Sequence, residues 1–299
     1  MKQSFINGSV VLILLAMSTN SYAAPITFNT ALPIAKSEYV LREQIVLYES
    51  GNDPSGADRK RTAQVALSVL GYGFASRFAV FGVLPIQSKK LSGAPIDARE
   101  RRSVSGIGDV TVFGRYTTYQ RDRPGQTLRL AVVAGIKAPT GEDDEHDELG
   151  RLPPTLQLGS GSWDAHVGVI ATRQTLDYQT DVELRYRQNR EANNFDAGNE
   201  INLSGSLQYR LVPKTLVSGI DQFVYAVIEG NIMHRDNDRI GGARDLNSGG
   251  TTVFLSPGVQ LVTKRWILEG AVQVPIIQNL NGEALESDFV LRVGARVNF

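Results

Sequence analysis

Three histidines, His146, His166 and His234, are the side chains best suited to act as a general base in this chain. A hydrolase of the serine type needs such a base next to its nucleophile. None of the three begins an H-x-S-N-G pattern, since HVG starts at His166 and HRD at His234. We therefore predict that the protein is not an enzyme. A lipid hydrolase is kept as the least favoured alternative.

An acidic run, EDDEHDE, offers a second kind of chemistry. Its carboxylates are those of Glu142, Asp143, Asp144, Glu145, Asp147 and Glu148. Such a cluster could bind a hard divalent cation such as Ca²⁺ weakly. The alternative is a solvated loop whose charges repel one another. The chain has no cysteine, so no thiolate metal site is available, and we predict no cofactor.

A basic segment precedes the acidic one. Residues 86–107 carry Lys89, Lys90, Arg99, Arg101 and Arg102 against Asp97 and Glu100. These cations could contact lipopolysaccharide phosphates or draw anions toward a pore. Ordinary loop solubility explains them equally well. The formal net charge of the whole chain is zero, which gives no overall attraction to nucleic acid.

Along the segments that must position these groups, apolar and polar residues alternate with a period of two. In the last eleven residues, FVLRVGARVNF, the apolar face is Phe289, Leu291, Val293, Ala295, Val297 and Phe299. Alternation of this kind predicts a β-strand. Terminal strands of bacterial outer-membrane barrels are similar and end in phenylalanine, so Phe299 is a candidate signal for the barrel-assembly machinery. The alternative is an amphipathic edge strand of a soluble sandwich.

Twelve segments of about ten residues have strand character, the length that a tilted strand needs to cross a bilayer. They lie near Tyr39–Tyr48, Thr62–Tyr72, Arg77–Pro85, Gly108–Gln120, Thr127–Ala138, Trp163–Thr175, Gln179–Asn189, Glu200–Val212, Gln222–His234, Gly250–Thr263, Trp266–Ile276 and Asp288–Phe299. The connections between them are alternately long and short. This pattern predicts an all-β fold, a transmembrane antiparallel up-and-down β-barrel of about 12 strands with short periplasmic turns and long extracellular loops.

An even strand count places both ends of the barrel on the periplasmic side. Trp163 and Trp266 begin strands on the long-loop and short-turn sides, and both are expected to face lipid. Ile86–Ile107 is expected to be one of the long loops. Only about fifteen residues separate the predicted signal-peptide cleavage site, after Ala23, from the first strand, so we expect no plug inside the barrel.

The beginning of the chain predicts export. Lys2 supplies a positive charge, Val10–Ala16 an apolar run, and Ser21-Tyr22-Ala23 a small-x-small cleavage site. We therefore expect a signal peptide at residues 1–23, an outer-membrane β-barrel at residues 24–299, and outer-membrane lipid and lipopolysaccharide as its surroundings. Without cysteine the mature chain is not a lipoprotein.

Charged side chains occur on the face of the strands that does not meet lipid. The candidate lumen-lining residues are Arg115, Arg129, Asp181, Glu183, Arg185, Arg187, Arg210, Glu229, Glu269, Arg292 and Arg296. Charges in a dry lumen must be paired or hydrated. Twelve strands lie between the filled eight-stranded barrel and the open sixteen-stranded porin, which favours a narrow, partly hydrated pore. A lumen closed by ion pairs is the alternative.

Three motifs surround the central strands: GIGDV from Gly106, KAPTG from Lys137, and LGSGSWD from Leu158. This series resembles the transporter-like outer-membrane family named for the meta-cleavage pathway of phenol degradation. The resemblance covers about residues 105–190. It implies an outer-membrane barrel with a role in the uptake or efflux of small, often aromatic, compounds, and it supplies no catalytic residues.

Three charged residues of these motifs lie at the long-loop ends of neighbouring strands. The alternation of side chains places all three on the inward face. We predict that Asp109, Lys137 and Asp164 form a cluster at the external mouth, with Lys137 between the two carboxylates. The cluster would either fix an inward-folded loop or select solutes. The resulting hypothesis is a barrel that passes small solutes, aromatic or hydrophobic compounds among them, by passive diffusion. The alternative is a structural or surface-interaction barrel with a closed lumen.

Overall fold

A computed structural model of the protein describes residues 23–93, 101–216 and 219–299. Lys2, the apolar run Val10–Ala16, Ser21 and Tyr22 of the predicted signal peptide lie outside the described residues, as do Asp97, Arg99 and Glu100. The described part of the chain forms eighteen strands. They are β1 (Tyr39–Ser50), β2 (Lys60–Ala75), β3 (Phe78–Ser92), β4 (Arg101–Ile107), β5 (Thr111–Arg123), β6 (Gln126–Lys137), β7 (His146–Asp147), β8 (Gly150–Arg151), β9 (Asp164–Thr175), β10 (Tyr178–Gln188), β11 (Phe195–Asp196), β12 (Glu200–Val212), β13 (Gln222–Arg235), β14 (Arg239–Ile240), β15 (Ala243–Arg244), β16 (Gly250–Thr263), β17 (Trp266–Leu280) and β18 (Phe289–Asn298).

Twelve of these strands close into a barrel. Each pairs antiparallel with its neighbours in chain order, and β1 pairs with both β2 and β18, which joins the two ends of the sheet. The order around the wall is β1, β2, β3, β5, β6, β9, β10, β12, β13, β16, β17 and β18. The predicted all-β barrel of twelve antiparallel strands is confirmed. The structure adds one further strand, β4.

Alternation along strands such as β10 separates an apolar exterior from a polar interior. In β10, Val182 and Leu184 are exposed on the outside, while Asp181 and Glu183 are buried. Trp163 and Trp266 are also exposed. Because a closed barrel satisfies all the backbone hydrogen bonds of its wall, an apolar exterior of this kind is suited to lipid.

No helix in the described residues is long and apolar enough to cross a membrane.

One predicted loop is largely strand. Ile86–Ile107 was expected to connect two strands, but β3 continues to Ser92 and β4 returns along its outer half. Gln87, Ser88, Lys89 and Lys90 form an unbroken polar stretch of β3, which suits the part of a strand that rises above the bilayer. β2, β3 and β4 are thus paired well into this segment, as far as Lys60, Ser92 and Arg101.

The N-terminal segment lies inside the barrel, and the expectation of no plug is wrong. Ala23, Ile26, Phe28 and Ala31 are buried, and Ile34 packs against Phe81 of the inner wall. A dozen extended residues reach about 40 Å, which is enough to cross the lumen of such a barrel. Residues 23–35, here called the lumen segment, run across the half of the barrel that carries the short turns.

Val169 tests the lipid-facing assignment, because it lies in the middle of β9 and points outward. We expect Val169→Arg to destabilise the barrel by about 2–4 kcal/mol, since a cation near the bilayer midplane loses its hydration. The measurement is equilibrium unfolding in lipid vesicles. Leu176→Arg, in a short turn near the interface, is the matched control and is expected to cost about 0–1 kcal/mol. Equal effects of the two substitutions would contradict the assignment.

Candidate functional site: the lumen and its external mouth

Lys137 stands between two carboxylates at the long-loop end of the barrel. Its Nζ lies 3.0 Å from Asp109 Oδ2 and 2.5 Å from Asp164 Oδ2. Both carboxylates are almost fully buried, with side-chain exposures of 7% and 3%, whereas Lys137 keeps 20%. The structure thus brings the three residues of the predicted mouth cluster into direct contact.

The same carboxylates bind the loop between β6 and β9, residues 138–163, which we call the latch loop. Asp109 accepts hydrogen bonds from the backbone N–H groups of Gly141 (3.0 Å) and Ser160 (2.9 Å). Asp164 accepts from the Ser162 hydroxyl at 2.8 Å and from the N–H of Arg190 at 3.0 Å. The mouth cluster therefore holds two points of the latch loop against the barrel wall.

The glycines of the three motifs allow this close approach. A Cβ on Gly159 would lie 2.2 Å from the carbonyl oxygen of Gly141, and one on Gly106 would lie 2.7 Å from Leu158. Further along the loop, the carbonyl of Gln157 accepts from Lys89 Nζ at 2.5 Å, on the inner side of the hairpin of β3 and β4. The motif series thus fastens the latch loop across part of the mouth.

Hydrogen bonds decide the protonation of Asp109. Burial alone would raise the pKa of this carboxyl. The N–H groups of Ser160 and Gly141, together with the Lys137 ammonium, outweigh that effect and hold the pKa below its ordinary value. The latch is therefore held by a charged carboxylate throughout the neutral range.

Glu229 is the main anchor of the lumen segment. It accepts hydrogen bonds from Ile26 N at 2.6 Å, and from Thr27 N at 3.0 Å and Thr27 Oγ1 at 2.5 Å. The side chain of Ile26 packs with Val227 and Ala271. An apolar contact and a carboxyl acceptor thus hold the same short stretch of chain.

Two arginines donate hydrogen bonds to carbonyl groups of the lumen segment. Arg42 donates to the carbonyl of Ile26 at 2.8 Å and pairs with Glu269 at 2.6 Å. Arg115 donates to the carbonyls of Thr30 (2.7 Å) and Leu32 (2.6 Å). Each guanidinium thereby satisfies backbone acceptors that would otherwise be buried without a partner.

Further polar side chains complete the anchoring. Ala31 N donates to Thr172 Oγ1 at 2.8 Å, and Thr172 donates to the buried Asp181. Gln260 donates to the carbonyl of Ala24 at 2.7 Å. In the part of the chain that the structure describes, the backbone groups of residues 23–34 hydrogen-bond to side chains and not to the backbone of a wall strand.

The predicted lumen-lining residues fall into two groups. Those that border the open part of the lumen are Arg115, Arg129, Arg185, Arg187, Arg292 and Arg296. Those buried in the wall or under the lumen segment are Asp181, Glu183, Arg210, Glu229 and Glu269. Cations therefore border the open space, while most of the acidic groups serve as anchors beneath it.

A cavity of about 1010 Å³ runs beside the lumen segment. Its lining extends from Lys137 and Arg187, at the long-loop ends of their strands, to Asp122 and Gln126 at a short turn. The walls carry eight cationic side chains against three carboxylates. Phe81 and Phe113 contribute an aromatic patch. The space can hold a small solute and offers it both charge and apolar surface.

The charged loops are engaged in contacts with each other. Arg102 donates to both oxygens of Asp147, at 2.6 and 2.7 Å, and holds the pKa of that carboxyl below its usual value. Asp144 lies 3.3 Å from Arg151. Among the described residues, no group of three or more His, Asp or Glu side chains has an arrangement that could hold a metal ion. One carboxylate of the acidic run, that of Asp147, is therefore paired with the basic segment.

The histidines are not arranged as bases next to a serine in the described residues. His166 packs edge-on against Phe113 at 5.8 Å between ring centroids, inside the barrel. His234 contacts the Thr251 hydroxyl at 2.8 Å on the exposed outer surface. His146 lies at the carbonyl of Asp144 in the latch loop.

The main functional residues that sequence reasoning missed are those of the lumen segment and its partners Arg42, Gln44 and Gln260. A signal for them was present. Ile26, Phe28 and Ile34 are large apolar residues in a short stretch that would otherwise be a solvated linker. Their burial inside the barrel explains their presence.

Lys137→Met tests the mouth cluster, because it leaves two buried carboxylates without their cation. We expect a loss of stability of about 3 kcal/mol, the usual effect of breaking a buried ion pair. We also expect faster proteolysis within residues 140–160. Lys90→Met, an exposed lysine of the neighbouring hairpin, is the control. If Lys137→Met resists proteolysis as well as wild type does, the mouth cluster does not hold the latch loop in place.

The pKa of Asp109 predicts a pH dependence. Its folded value is lowered, so its stabilising contribution is complete above the unfolded value of about 4 and is lost as the pH falls through the folded value. We expect the difference in melting temperature between wild type and Asp109→Asn to be constant from pH 8 to about 5 and to shrink below about 4. A difference that persists unchanged at pH 2 would contradict this origin.

Solved structures with similar folds include an outer membrane channel. The COG4313 outer membrane channel from Pseudomonas putida F1 is 13% identical, with a TM-score of 0.71, over 93% of this chain and all of the other. The NanC porin is 13% identical, with a TM-score of 0.45, over 86% of this chain and 98% of the other. A FadL homologue of Pseudomonas aeruginosa is 9% identical, with a TM-score of 0.37, over 91% of each chain. At 13% identity, the likeness to the Pseudomonas putida channel shows the fold alone.

No curated protein matches the chain. A family model matches residues 59–274, which is more than half of the sequence and includes all three motifs of the mouth. The apolar exterior and the closed twelve-stranded wall place the protein in the outer membrane. The chain belongs to the family described as "Putative MetA-pathway of phenol degradation".

Proposed function

We propose that this protein is a narrow outer-membrane channel that passes small solutes, aromatic or hydrophobic compounds among them, by passive diffusion. The observation that carries the proposal is the cavity of about 1010 Å³, whose lining reaches from the external mouth to a periplasmic turn. Ligand cavities of this order hold small organic molecules. The structural neighbour from Pseudomonas putida, described as an outer membrane channel, supports the proposal by its fold.

The lumen segment and the latch loop define the width of the pathway. The lumen segment occupies the periplasmic half of the barrel and leaves the cavity beside it. The mouth cluster fixes the latch loop over part of the external end. A pathway bordered by both would admit solutes of limited size, in contrast to an open porin.

The anchoring of the lumen segment also allows it to move. Its backbone bonds to Glu229, Thr172 and Gln260 are side-chain bonds, so displacing it breaks no strand pairing of the wall. Water entering the space could replace these bonds one by one. We infer that the channel has a narrow state with the lumen segment in place and a wider state with it displaced.

The same segment is the observation that favours the second candidate, a structural or surface-interaction barrel with a closed lumen. In that function the lumen segment would be a permanent filler and the external loops would bind partners. The two candidates differ in conductance, because only a channel carries ions across a bilayer. A lipid hydrolase is not favoured, since the described residues place no histidine beside a serine.

A reversible crosslink tests the proposal in a chain that has no natural cysteine. The hydroxyls of Thr30 and Thr172 lie 3.1 Å apart, so Thr30→Cys with Thr172→Cys places two thiols within reach of a disulfide. In planar bilayers we expect wild type to conduct in both the narrow and the wider state. We expect the oxidised double variant to show only the smaller conductance of the narrow state. Reduction should restore the larger openings.

Thr172→Cys alone, in oxidised and reduced buffer, is the matched control for the loss of the threonine hydroxyl. Absence of any wild-type conductance, under all voltages and ionic conditions, would exclude the channel and leave the closed barrel. Conductance that is indifferent to oxidation of the double variant would show that solutes pass without displacement of the lumen segment.

A further inference from the structure

One row of inward-facing side chains stands out just inside the mouth cluster, two residues from Lys137 on β6 and two from Asp164 on β9. Phe81, Phe113, Gly135 and His166 are paired in register across β3, β5, β6 and β9. The rings of Phe81 and Phe113 stack at 4.7 Å, and that of His166 meets Phe113 edge-on at 5.8 Å. We call Phe81, Phe113 and His166 the aromatic row.

Glycine is required between these rings. A Cβ on Gly135 would lie 2.4 Å from Cβ of Phe113 and 2.6 Å from Cε1 of His166. A Cβ on Gly71, at the other end of the row, would lie 2.7 Å from the ring of Phe81. Two neighbouring positions are thus kept free of side chains, which leaves the rings packed side by side against the cavity.

Cations surround the aromatic row. Arg187 is paired in register with His166, and Arg185 lies one step deeper on the same strand. The guanidinium of Arg115 lies over Phe81, 4.9 Å from its ring centroid. All three arginines border the same cavity as the rings. Ring edges carry partial positive charge, so the edges and the guanidinium groups favour the same sign of ligand.

The positive charges near the row are only partly compensated within the described residues. Arg187 lies 3.4 Å from Glu200 and keeps 41% of its side chain exposed. Arg185 pairs with Glu183 at 2.6 Å, while its Nε has no hydrogen-bond partner in the described part of the chain. Arg115 donates to carbonyl groups rather than to a carboxylate. Arg187 can therefore bind an anion without losing a strong partner, and Arg185 and Arg115 add positive charge nearby.

The side of the cavity next to the row is apolar. Leu67 and Val69 of β2 and Val83 of β3 border the cavity beside Phe81. Arg185 and Arg187 lie on the other flank, on β10. A molecule in this space meets hydrocarbon on one side and guanidinium groups on the other. This arrangement fits an amphiphilic anion better than a neutral hydrocarbon or a bare inorganic ion.

We propose that this part of the lumen binds a small carboxylate with an apolar, ring-sized body, with the carboxylate toward Arg187 and Arg185 and the body against the aromatic row and Val83. The proposal rests on the channel function proposed above and names its solute class. Two charge-assisted hydrogen bonds orient the carboxylate, and the body is desolvated against the rings. Such a site would concentrate its solute in a narrow pathway.

Block of the chloride current by added carboxylates tests the site. Purified wild-type protein in planar bilayers carries the current at low salt, where charge interactions are least screened. Benzoate is the probe, acetate has the charge without the body, and benzyl alcohol has the body without the charge. We expect benzoate to block at concentrations at least tenfold lower than either control.

Arg187→Gln removes one donor and one charge, and we expect the benzoate block to weaken about tenfold, as for loss of a hydrogen bond to a charged group. Arg292→Gln is the matched control. It removes the same charge from the same cavity, but β18 is on the opposite side of the barrel from β9 and β10. Its effect on the block should stay within about twofold.

Phe113→Leu provides a second route if Arg187→Gln does not fold, and it should weaken the block by benzoate and not that by acetate. The outcomes are distinct. No chloride current in wild type would overturn the channel itself. A current that benzoate and acetate block equally would overturn the carboxylate site and leave the channel. Equal effects of Arg187→Gln and Arg292→Gln would overturn its location.

Discussion

Closure of the sheet by the pairing of β1 with β18 is the constraint on which the rest of this structure depends. Ten residue pairs join the two strands, from Val40 with Asn298 to Glu49 with Phe289. A closed wall leaves no unpaired edge in the bilayer. It also forces every second side chain into an enclosed space, and so turns the polar faces of twelve strands into one shared interior.

The charged groups of that interior need hydrogen-bond or ion-pair partners inside the barrel. The structure supplies backbone groups as well as opposite charges. Glu229 is satisfied by N–H groups of the lumen segment, and Arg115 by its carbonyls. At the mouth, Asp109 is satisfied by N–H groups of the latch loop as well as by Lys137. Segments that fold inward thus serve as the partners of wall charges, because a narrow lumen has little room for bulk water.

The fold could be predicted from the sequence because its determinants are local and repeated. Alternation of side chains and alternation of loop lengths each specify the same barrel, and strands such as β12 and β16 begin and end where the pattern does. The contact of Lys137 with Asp109 and Asp164 could be anticipated for the same reason. Parity and strand order alone place these residues on adjacent strands, on one face and at one height.

The lumen segment and the aromatic row could not be predicted in this way. Where residues 23–35 lie depends on side chains from β1, β5, β9, β13 and β16, and no periodic pattern connects a chain segment to acceptors on so many strands. The hairpin of β3 and β4 was missed because its lysines and arginines resemble those of a solvated loop. The aromatic row depends on pairing register across four strands, which parity gives only to within shifts of two residues.

The position of the lumen segment has a consequence for the order of assembly. Ile26 and Ala24 find their hydrogen-bond partners 203 and 236 positions later in the chain. The start of the barrel region therefore waits for strands near its end, and contacts of such long range form slowly. Since the segment is enclosed by the same wall whose closure joins β1 to β18, its full set of contacts forms only when most of the wall is in place. If the barrel closed first, the lumen segment would have to enter through the periplasmic opening.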